Sequence, residues 1–130
     1  MPIECDDFLT ASDFIVSSAP QEEVFSRVAL GRAYYSLYHH AKIKADELTL
    51  PEVPGLGMGE HKRLVARYQT AGKRLKVIGN MIDKMRAIRA DVDYDLEGAY
   101  TRQQALKDIQ VCRSVIVEVQ KINAVVKKEG

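Results

Sequence analysis

An arginine and a histidine lie seven residues apart, at Arg32 and His39, in a stretch with the composition of a long helix. Seven residues are nearly two helical turns, so both side chains point the same way but lie ~10 Å apart along the axis. A histidine transfers protons near neutral pH, and an arginine can stabilise the charge of a pentacovalent phosphorane. The pair therefore indicates chemistry at a phosphodiester, although within one helix the two residues are too far apart for a tight pair.

An antiparallel second copy of the helix would remove this separation, because a two-fold axis would bring both arginines and both histidines into one cleft. The helix is apolar on two sides and therefore needs two partners, which predicts a homodimer. One side is expected to face the core of the chain's own fold: Leu30, Tyr34, Leu37, Ala41 and Leu48. The other side carries the arginine–histidine pair and is expected to face the second protomer: Phe25, Val28, Arg32, Tyr35, His39 and Ile43.

Other chemistries have less support in the sequence. His39, His40 and His61 lack the spacing of metal ligands, because adjacent helical residues point ~100° apart and no cysteine or carboxylate accompanies them. The loop glycines lack the following Lys-Ser/Thr of a phosphate-binding P-loop. We therefore predict no metal and no cofactor. A purely structural role remains the alternative: Arg32 and His39 would only pack, and His61 would only cap or pack at the start of its helix.

Five helical segments must position these residues. Apolar residues at helical spacing predict them over about 6–18, 20–48, 60–70, 73–90 and 101–127. Residues 49–59, rich in proline and glycine, predict a loop, and residues 91–100 are expected to unwind. Thr101 and Gln104 have the spacing of a capping box. The pattern predicts an all-α fold, an antiparallel up-and-down bundle of four to five helices in one domain over residues 1–130.

The composition is that of a globular protein, with 46% hydrophobic residues, 28% charged residues and a net charge of +1. No apolar run approaches the ~18 residues that would span a membrane, and the first residues lack a secretory pattern. The isolated Cys5 and Cys112 are typical of reduced thiols, so we expect a cytoplasmic protein with no membrane contact. Residues 60–90 hold nine Lys and Arg against two acids. This excess could attract a phosphate backbone, or it could simply solvate helix faces.

The segment from Arg32 to His39, Arg-Ala-Tyr-Tyr-Ser-Leu-Tyr-His, resembles the Arg-x(4–6)-His motif of the HEPN superfamily. Its aromatic residues are similar to those of the small stand-alone HEPN proteins. A second segment, from Arg89 to Asp95, resembles the family's Arg-x-x-Ala-Asp-Tyr-Asp sequence in a shifted register. The order of elements also fits, with a helix opened by a histidine after the long loop, and the resemblance covers about residues 21–119.

The resemblance implies a HEPN-like bundle of four or five helices that dimerises through its motif helices. It implies a metal-independent endoribonuclease in which the 2′-hydroxyl attacks the adjacent phosphate, with Arg32 stabilising the phosphate and His39 as acid or base. It also implies the toxin of a toxin–antitoxin or phage-defence system, with a minimal nucleotidyltransferase as the antitoxin. Supporting residues on the same helix would be Tyr35, Ser36 and His40. Residues that bind phosphate or RNA would be Lys62, Arg63 and Arg89.

The chain departs from the family pattern at two positions. Active nucleases often have a polar residue directly after the arginine, where this chain has Ala33, and Ser36 is the candidate to replace it. Toxins silenced by nucleotide transfer carry a tyrosine two residues after the histidine, where this chain has Ala41. A second hypothesis is therefore a non-catalytic HEPN module that binds a nucleotide or a partner and works with a minimal nucleotidyltransferase. A third is a plain helical adaptor.

Overall fold

The computed structural model describes residues 3–18, 22–55, 57 and 59–123, and in these parts of the chain it contains five α-helices and no strand. The helices are α1 (Cys5–Ser18), α2 (Glu23–Glu47), α3 (Glu60–Gln69), α4 (Lys73–Tyr94) and α5 (Arg102–Gln120). The predicted all-α helical bundle is confirmed. Within the same described ranges, no helix is both long enough and apolar enough to cross a membrane.

The ends of three helices differ from the prediction. α2 begins at Glu23, and residues 20 and 21 of its predicted start lie outside the described residues. α5 ends at Gln120, earlier than predicted, and Lys44 donates a hydrogen bond to the carbonyl of Ile122 just beyond that end. Residues 124–127 of the predicted helix lie outside the described part of the chain.

The end of α4 shows a tertiary contact overriding the local sequence. Residues 91–94, which were expected to unwind, are helical up to Tyr94. The guanidinium of Arg27 on α2 donates hydrogen bonds to backbone carbonyls at and just beyond this end, those of Val92, Asp95 and Gly98. The last carbonyls of a helix lack partners within it. Arg27 supplies hydrogen-bond donors at this end, which the acidic side chains of the segment cannot supply.

The predicted capping box at the start of α5 is confirmed. The Thr101 hydroxyl accepts a hydrogen bond from the Gln104 amide N–H at 3.1 Å, and the Gln104 side chain accepts one from the Thr101 N–H at 2.8 Å. Two of the unsatisfied donors at the helix start are thereby paired reciprocally.

Side-chain contacts between helices define how they run. α1 is antiparallel to α2, since His40 meets Asp6 near one end and Ser12 donates to the Ala29 carbonyl further along. α3 runs in the same direction as α2, because residues 34 and 41 of α2 contact residues 61 and 68 of α3. The segment between α2 and α3 therefore returns along the bundle. Arg67 fixes this return by donating two hydrogen bonds to the Leu50 carbonyl and one to Asp46.

α3 and α4 form a tight antiparallel hairpin. The link turns at Gly72, whose φ of 101° is a conformation that favours glycine. The two helices then approach closely at Gly79, where an added Cβ would lie 2.9 Å from the Cβ of Tyr68. Buried apolar side chains from all five helices form one core, and this core holds α3 and α4 against the middle of α2.

The states of the two cysteines and the burial of the predicted core face of α2 agree with the sequence analysis. Cys5 and Cys112 carry free thiols. Of the predicted core face of α2, all five members are buried: Leu30, Tyr34, Leu37, Ala41 and Leu48. Leu106 on α5 is an apolar residue at helical spacing, but it is 41% exposed and so lies at the edge of the bundle.

Candidate functional site

The ring of Tyr35 on α2 lies at the centre of a group of aromatic and basic side chains. Arg32 and His39 flank it from the same helix, one turn before and one turn after. Three other helices contribute one residue each: Phe8 of α1, His61 of α3 and Arg89 of α4. We call these six residues the Tyr35 cluster. It joins the predicted arginine–histidine pair to residues from every helix except α5.

Two guanidinium groups lie beside the Tyr35 ring. The Cζ atom of Arg32 is 4.7 Å from the ring centroid, and that of Arg89 is 5.5 Å from it. Arg89 also pairs with Asp93 one turn on, at 3.0 Å. The Nε atom of each arginine is buried and has no hydrogen-bond partner among the described residues. Because a buried donor without a partner costs about 1–3 kcal/mol, two such donors in one cluster indicate a place where an anion would be favoured.

His39 is half-buried and stacked between aromatic rings. Its ring lies 5.2 Å from that of Phe8, at an interplanar angle of 17°, and 6.4 Å from that of Tyr35. Burial lowers the pKa of His39 below its usual value, and the positive charges of Lys42 and His40 lower it further. The imidazole is therefore mostly neutral at neutral pH, which is the state that accepts a proton.

His61 is anchored by a tyrosine. Its Nδ1 lies 2.7 Å from the hydroxyl oxygen of Tyr34, and its ring centroid lies 4.3 Å from that of Tyr38. Burial raises the pKa of Tyr34 far above its usual value, so the phenol keeps its proton and donates a hydrogen bond to Nδ1 of the neutral imidazole. This hydrogen bond leaves Nε2 of His61 as the nitrogen that carries the proton.

Burial and the neighbouring charges together favour the neutral form of His61. Burial is the main cause that lowers the pKa of His61, followed by the positive charge of Arg89. Arg86 and His39 lower the pKa of His61 further, and only Glu60 at the start of α3 raises it. A phosphate bound beside the arginines would offset their effect, because an opposite charge favours the protonated imidazole.

The other predicted residues fall into different surroundings. Ser36 is 0% exposed, and its hydroxyl has no hydrogen-bond partner among the described residues, so no ligand outside the core reaches it. His40 is held by Asp6 of α1 at 2.7 Å. Lys62 and Arg63 are exposed on the first turn of α3, beside His61 in sequence but outside the Tyr35 cluster. Of the residues predicted to bind phosphate, only Arg89 joins the cluster.

Sequence reasoning missed two members of the cluster. His61 was expected only to cap or pack, although its place at the start of the helix after the long loop was the available signal. Phe8 carried no signal, because its sequence shows only an apolar residue on α1. Its ring lies 6.0 Å from Cζ of Arg32 and stacks on His39. The middle of the face predicted to meet a twin is thus partly covered by the chain's own first helix.

Two residues of the remainder of that face are exposed. Val28 and Ile43 are 44% and 51% exposed, one before and one after the part that Phe8 covers. An open groove of ≈ 550 Å³ runs beside His39 and is mostly apolar. Its lining residues are Ile3, Glu4, Cys5, Phe8, His39 and Ile43. The groove gives His39 a route to solvent and has the size of a small-ligand pocket.

The described residues contain no group of three or more histidine, cysteine or acidic side chains placed to hold a metal ion. The Tyr35 cluster instead combines imidazoles, guanidiniums and aromatic faces, which are suited to proton transfer, anion binding and base stacking. Comparison of the chain with protein-family models, with curated proteins and with solved structures gave no match.

Proposed function

We propose that this protein is a metal-independent endoribonuclease of the HEPN type, with Arg32 and His39 as its catalytic residues. The observation that carries the proposal is the arrangement at Tyr35, whose ring is flanked by a guanidinium and a mostly neutral imidazole. The Nε of this guanidinium is buried and has no hydrogen-bond partner in the described part of the chain. A neutral imidazole and a fixed positive charge are the two groups that cleavage of an RNA backbone needs most.

The reaction follows from these two groups. His39 takes the proton of the 2′-hydroxyl as its oxygen attacks the adjacent phosphorus, and Arg32 stabilises the charge that develops on the phosphoryl oxygens. The new O2′–P bond replaces the bond from phosphorus to the 5′-oxygen of the next nucleotide. The departing 5′-oxygen takes up one proton in exchange for the one that His39 receives. The products are a 2′,3′-cyclic phosphate and a 5′-hydroxyl, and no redox step is required.

RNA would reach the site along the groove beside His39. Its apolar lining suits a nucleobase, and the ring of Phe8 offers a face for stacking, which contributes about 1–3 kcal/mol per base in single-stranded complexes. The exposed Lys62 and Arg63 on α3 would contact backbone phosphates further along the strand. The exposed basic residues of α4 would do the same: Lys73, Arg74, Lys76 and Lys84. Such contacts position the nucleic acid without reading its sequence.

Two further features belong to the same proposal. The exposed apolar residues Val28 and Ile43 support a homodimer that packs along α2 around the covered part of the face. The HEPN resemblance supports a toxin whose antitoxin is a minimal nucleotidyltransferase. Induced expression of the wild-type protein would then arrest growth, and co-expression of a minimal nucleotidyltransferase encoded beside it would relieve the arrest.

The test is cleavage of single-stranded RNA by purified protein in the presence of a chelator. We expect wild type to produce 2′,3′-cyclic phosphate ends. We expect His39→Gln to lower the rate by about 10²- to 10⁴-fold, and Arg32→Gln by about 10²- to 10³-fold. Arg113→Gln is the matched control, because it removes a guanidinium that lies outside the Tyr35 cluster and pairs with Asp13 of α1 and Gln110 of its own helix. Wild type that leaves RNAs of varied sequence intact would contradict the proposal.

A non-catalytic binding module is the second candidate, and one observation favours it. Phe8 stacks directly on His39 and approaches Arg32, which suits a packed aromatic and cationic surface as well as a catalytic one, and Ala33 replaces the polar residue of many active nucleases. This candidate predicts tight binding of a labelled nucleotide or of the nucleotidyltransferase without RNA cleavage. Equilibrium binding and co-purification, performed on the same preparations, distinguish the two.

A further inference from the structure

The Tyr35 cluster contains a second imidazole that the arginine–histidine motif does not include. His61 and His39 both contact the ring of Tyr38, at 4.3 Å and 5.2 Å, and both flank Tyr35. They come from different helices but belong to one protomer. The cluster thus has two imidazoles that contact the same two tyrosine rings, and both belong to a single copy of the chain.

A second guanidinium accompanies the second imidazole. Arg89 lies 5.4 Å from the Tyr34 ring and 5.5 Å from the Tyr35 ring, and the Tyr34 hydroxyl is the one that holds His61. The cluster thus contains two arginine–histidine pairs, one on α2 and one shared by α3 and α4. A scissile phosphate has two oxygens that exchange protons, the attacking one and the leaving one, and each needs its own acid or base.

We propose that His61 is a catalytic residue of this site, the general acid for the leaving 5′-oxygen, with Arg89 holding the phosphate and Tyr34 positioning the His61 ring. The inference rests on the proposed ribonuclease function. His61 in its protonated form donates the Nε2 proton to the 5′-oxygen as the P–O5′ bond breaks, while Nδ1–H donates to the Tyr34 oxygen. His39 receives the proton of the 2′-hydroxyl, so one proton enters and one leaves the pair of imidazoles in each cleavage.

Replacing the leaving oxygen with sulfur gives a direct test. A thiol is a much stronger acid than an alcohol, so a thiolate departs without a proton and a general acid is no longer needed. The substrates are single-stranded oligonucleotides with one ribonucleotide at the cleavage site, joined to the next residue through either a 5′-oxygen or a 5′-sulfur. Cleavage of both is measured for wild type, His61→Gln and His39→Gln.

We expect His61→Gln to cleave the oxygen substrate about 10²-fold or more slowly than wild type, but the sulfur substrate within about tenfold of it. His39→Gln should be slow on both substrates, because the 2′-hydroxyl still needs a base. Equal losses of His61→Gln on both substrates, or no loss on either, would overturn the role of His61 while leaving the ribonuclease intact. Wild type that cleaves neither substrate would overturn the ribonuclease proposal itself.

Tyr34→Phe tests the positioning role separately. This variant removes only the hydroxyl that holds Nδ1, so we expect a loss in kcat with KM little changed. We also expect a shift of the basic limb of the pH–rate profile, because activity falls there as the general acid loses its proton. Gln69→Ala is the matched control, because it also removes one side-chain hydrogen bond made by α3, the one to Asn80 at 2.9 Å. A Tyr34→Phe profile identical to that of wild type would contradict the positioning of His61 by this tyrosine.

Discussion

The contact between α3 and α4 at Gly79 gives the sharpest prediction about how the site is built. A Cβ at this position would lie 2.9 Å from Cβ of Tyr68, 3.0 Å from Cγ of Gln69 and 3.1 Å from the backbone nitrogen of Gln69. The first and last of these atoms cannot rotate away. Gly79→Ala must therefore push α3 and α4 apart, and these are the helices that bring His61 and Arg89 into the Tyr35 cluster.

Two opposing effects set the magnitude for Gly79→Ala. Alanine in a helix interior is favoured over glycine by about 1 kcal/mol. Overpacking a well-filled interior costs typically about 1–3 kcal/mol, and we expect the upper half of that range because backbone atoms are involved. The net expectation is a loss of about 1–2 kcal/mol in the free energy of unfolding.

Gly31 provides the matched control for this substitution. It lies inside α2, directly before Arg32, and the nearest atom to an added Cβ is Oδ1 of Asp93 at 4.0 Å, which is ordinary contact. Gly31→Ala should therefore keep the helix-propensity gain of up to about 1 kcal/mol. Each variant adds one methyl group to the wild-type chain, but the two should change the free energy of unfolding in opposite directions.

The assay is equilibrium unfolding in urea, followed by circular dichroism. The dependence of the free energy of unfolding on urea concentration should be the same in the variants and in wild type, as two-state behaviour requires. If Gly79→Ala is as stable as Gly31→Ala, the close approach of α3 and α4 is not the constraint that we describe. The same preparations should show weakened RNA cleavage for Gly79→Ala, because the hairpin carries two members of the cluster.

Two further predictions concern pH and capping. Both His39 and His61 have pKa values below their ordinary 6.5 in the folded protein, so the unfolded chain binds more protons as the pH falls. The two histidines therefore contribute to the free energy of unfolding above pH 6.5, and this contribution is lost as the pH falls below 6.5. Urea unfolding at pH 7.5 and pH 5.5 should show this loss, and the double variant His39→Gln/His61→Gln should show a smaller one. An unchanged pH dependence in the double variant would refute the role of these two histidines in it. Thr101→Ala should lower the free energy of unfolding by about 1 kcal/mol through loss of the capping box, whereas Ser114→Ala, at an exposed hydroxyl of the same helix, should stay within about 0.5 kcal/mol of wild type.

The number of helices and most of their positions follow from the sequence, because apolar spacing and capping residues act locally. The capping box at Thr101 and the core face of α2 are examples, since each depends on residues within a few turns of one another. The end of α4 at Tyr94 could not be predicted in this way. Arg27, a residue of another helix far away in the chain, donates to the Val92 carbonyl in its last turn and to two carbonyls just beyond it.

The same division applies to the candidate site. The sequence by itself determined that Arg32, Tyr35 and His39 share one face of a long helix, because a helix repeats every 3.6 residues. Only the tertiary structure decided that Phe8, His61 and Arg89 meet them there. Their meeting depends on the close approach of α3 and α4 at Gly79, on the hydrogen bond from Tyr34, and on the packing of α1 over α2, and none of these contacts leaves a periodic signal in the chain.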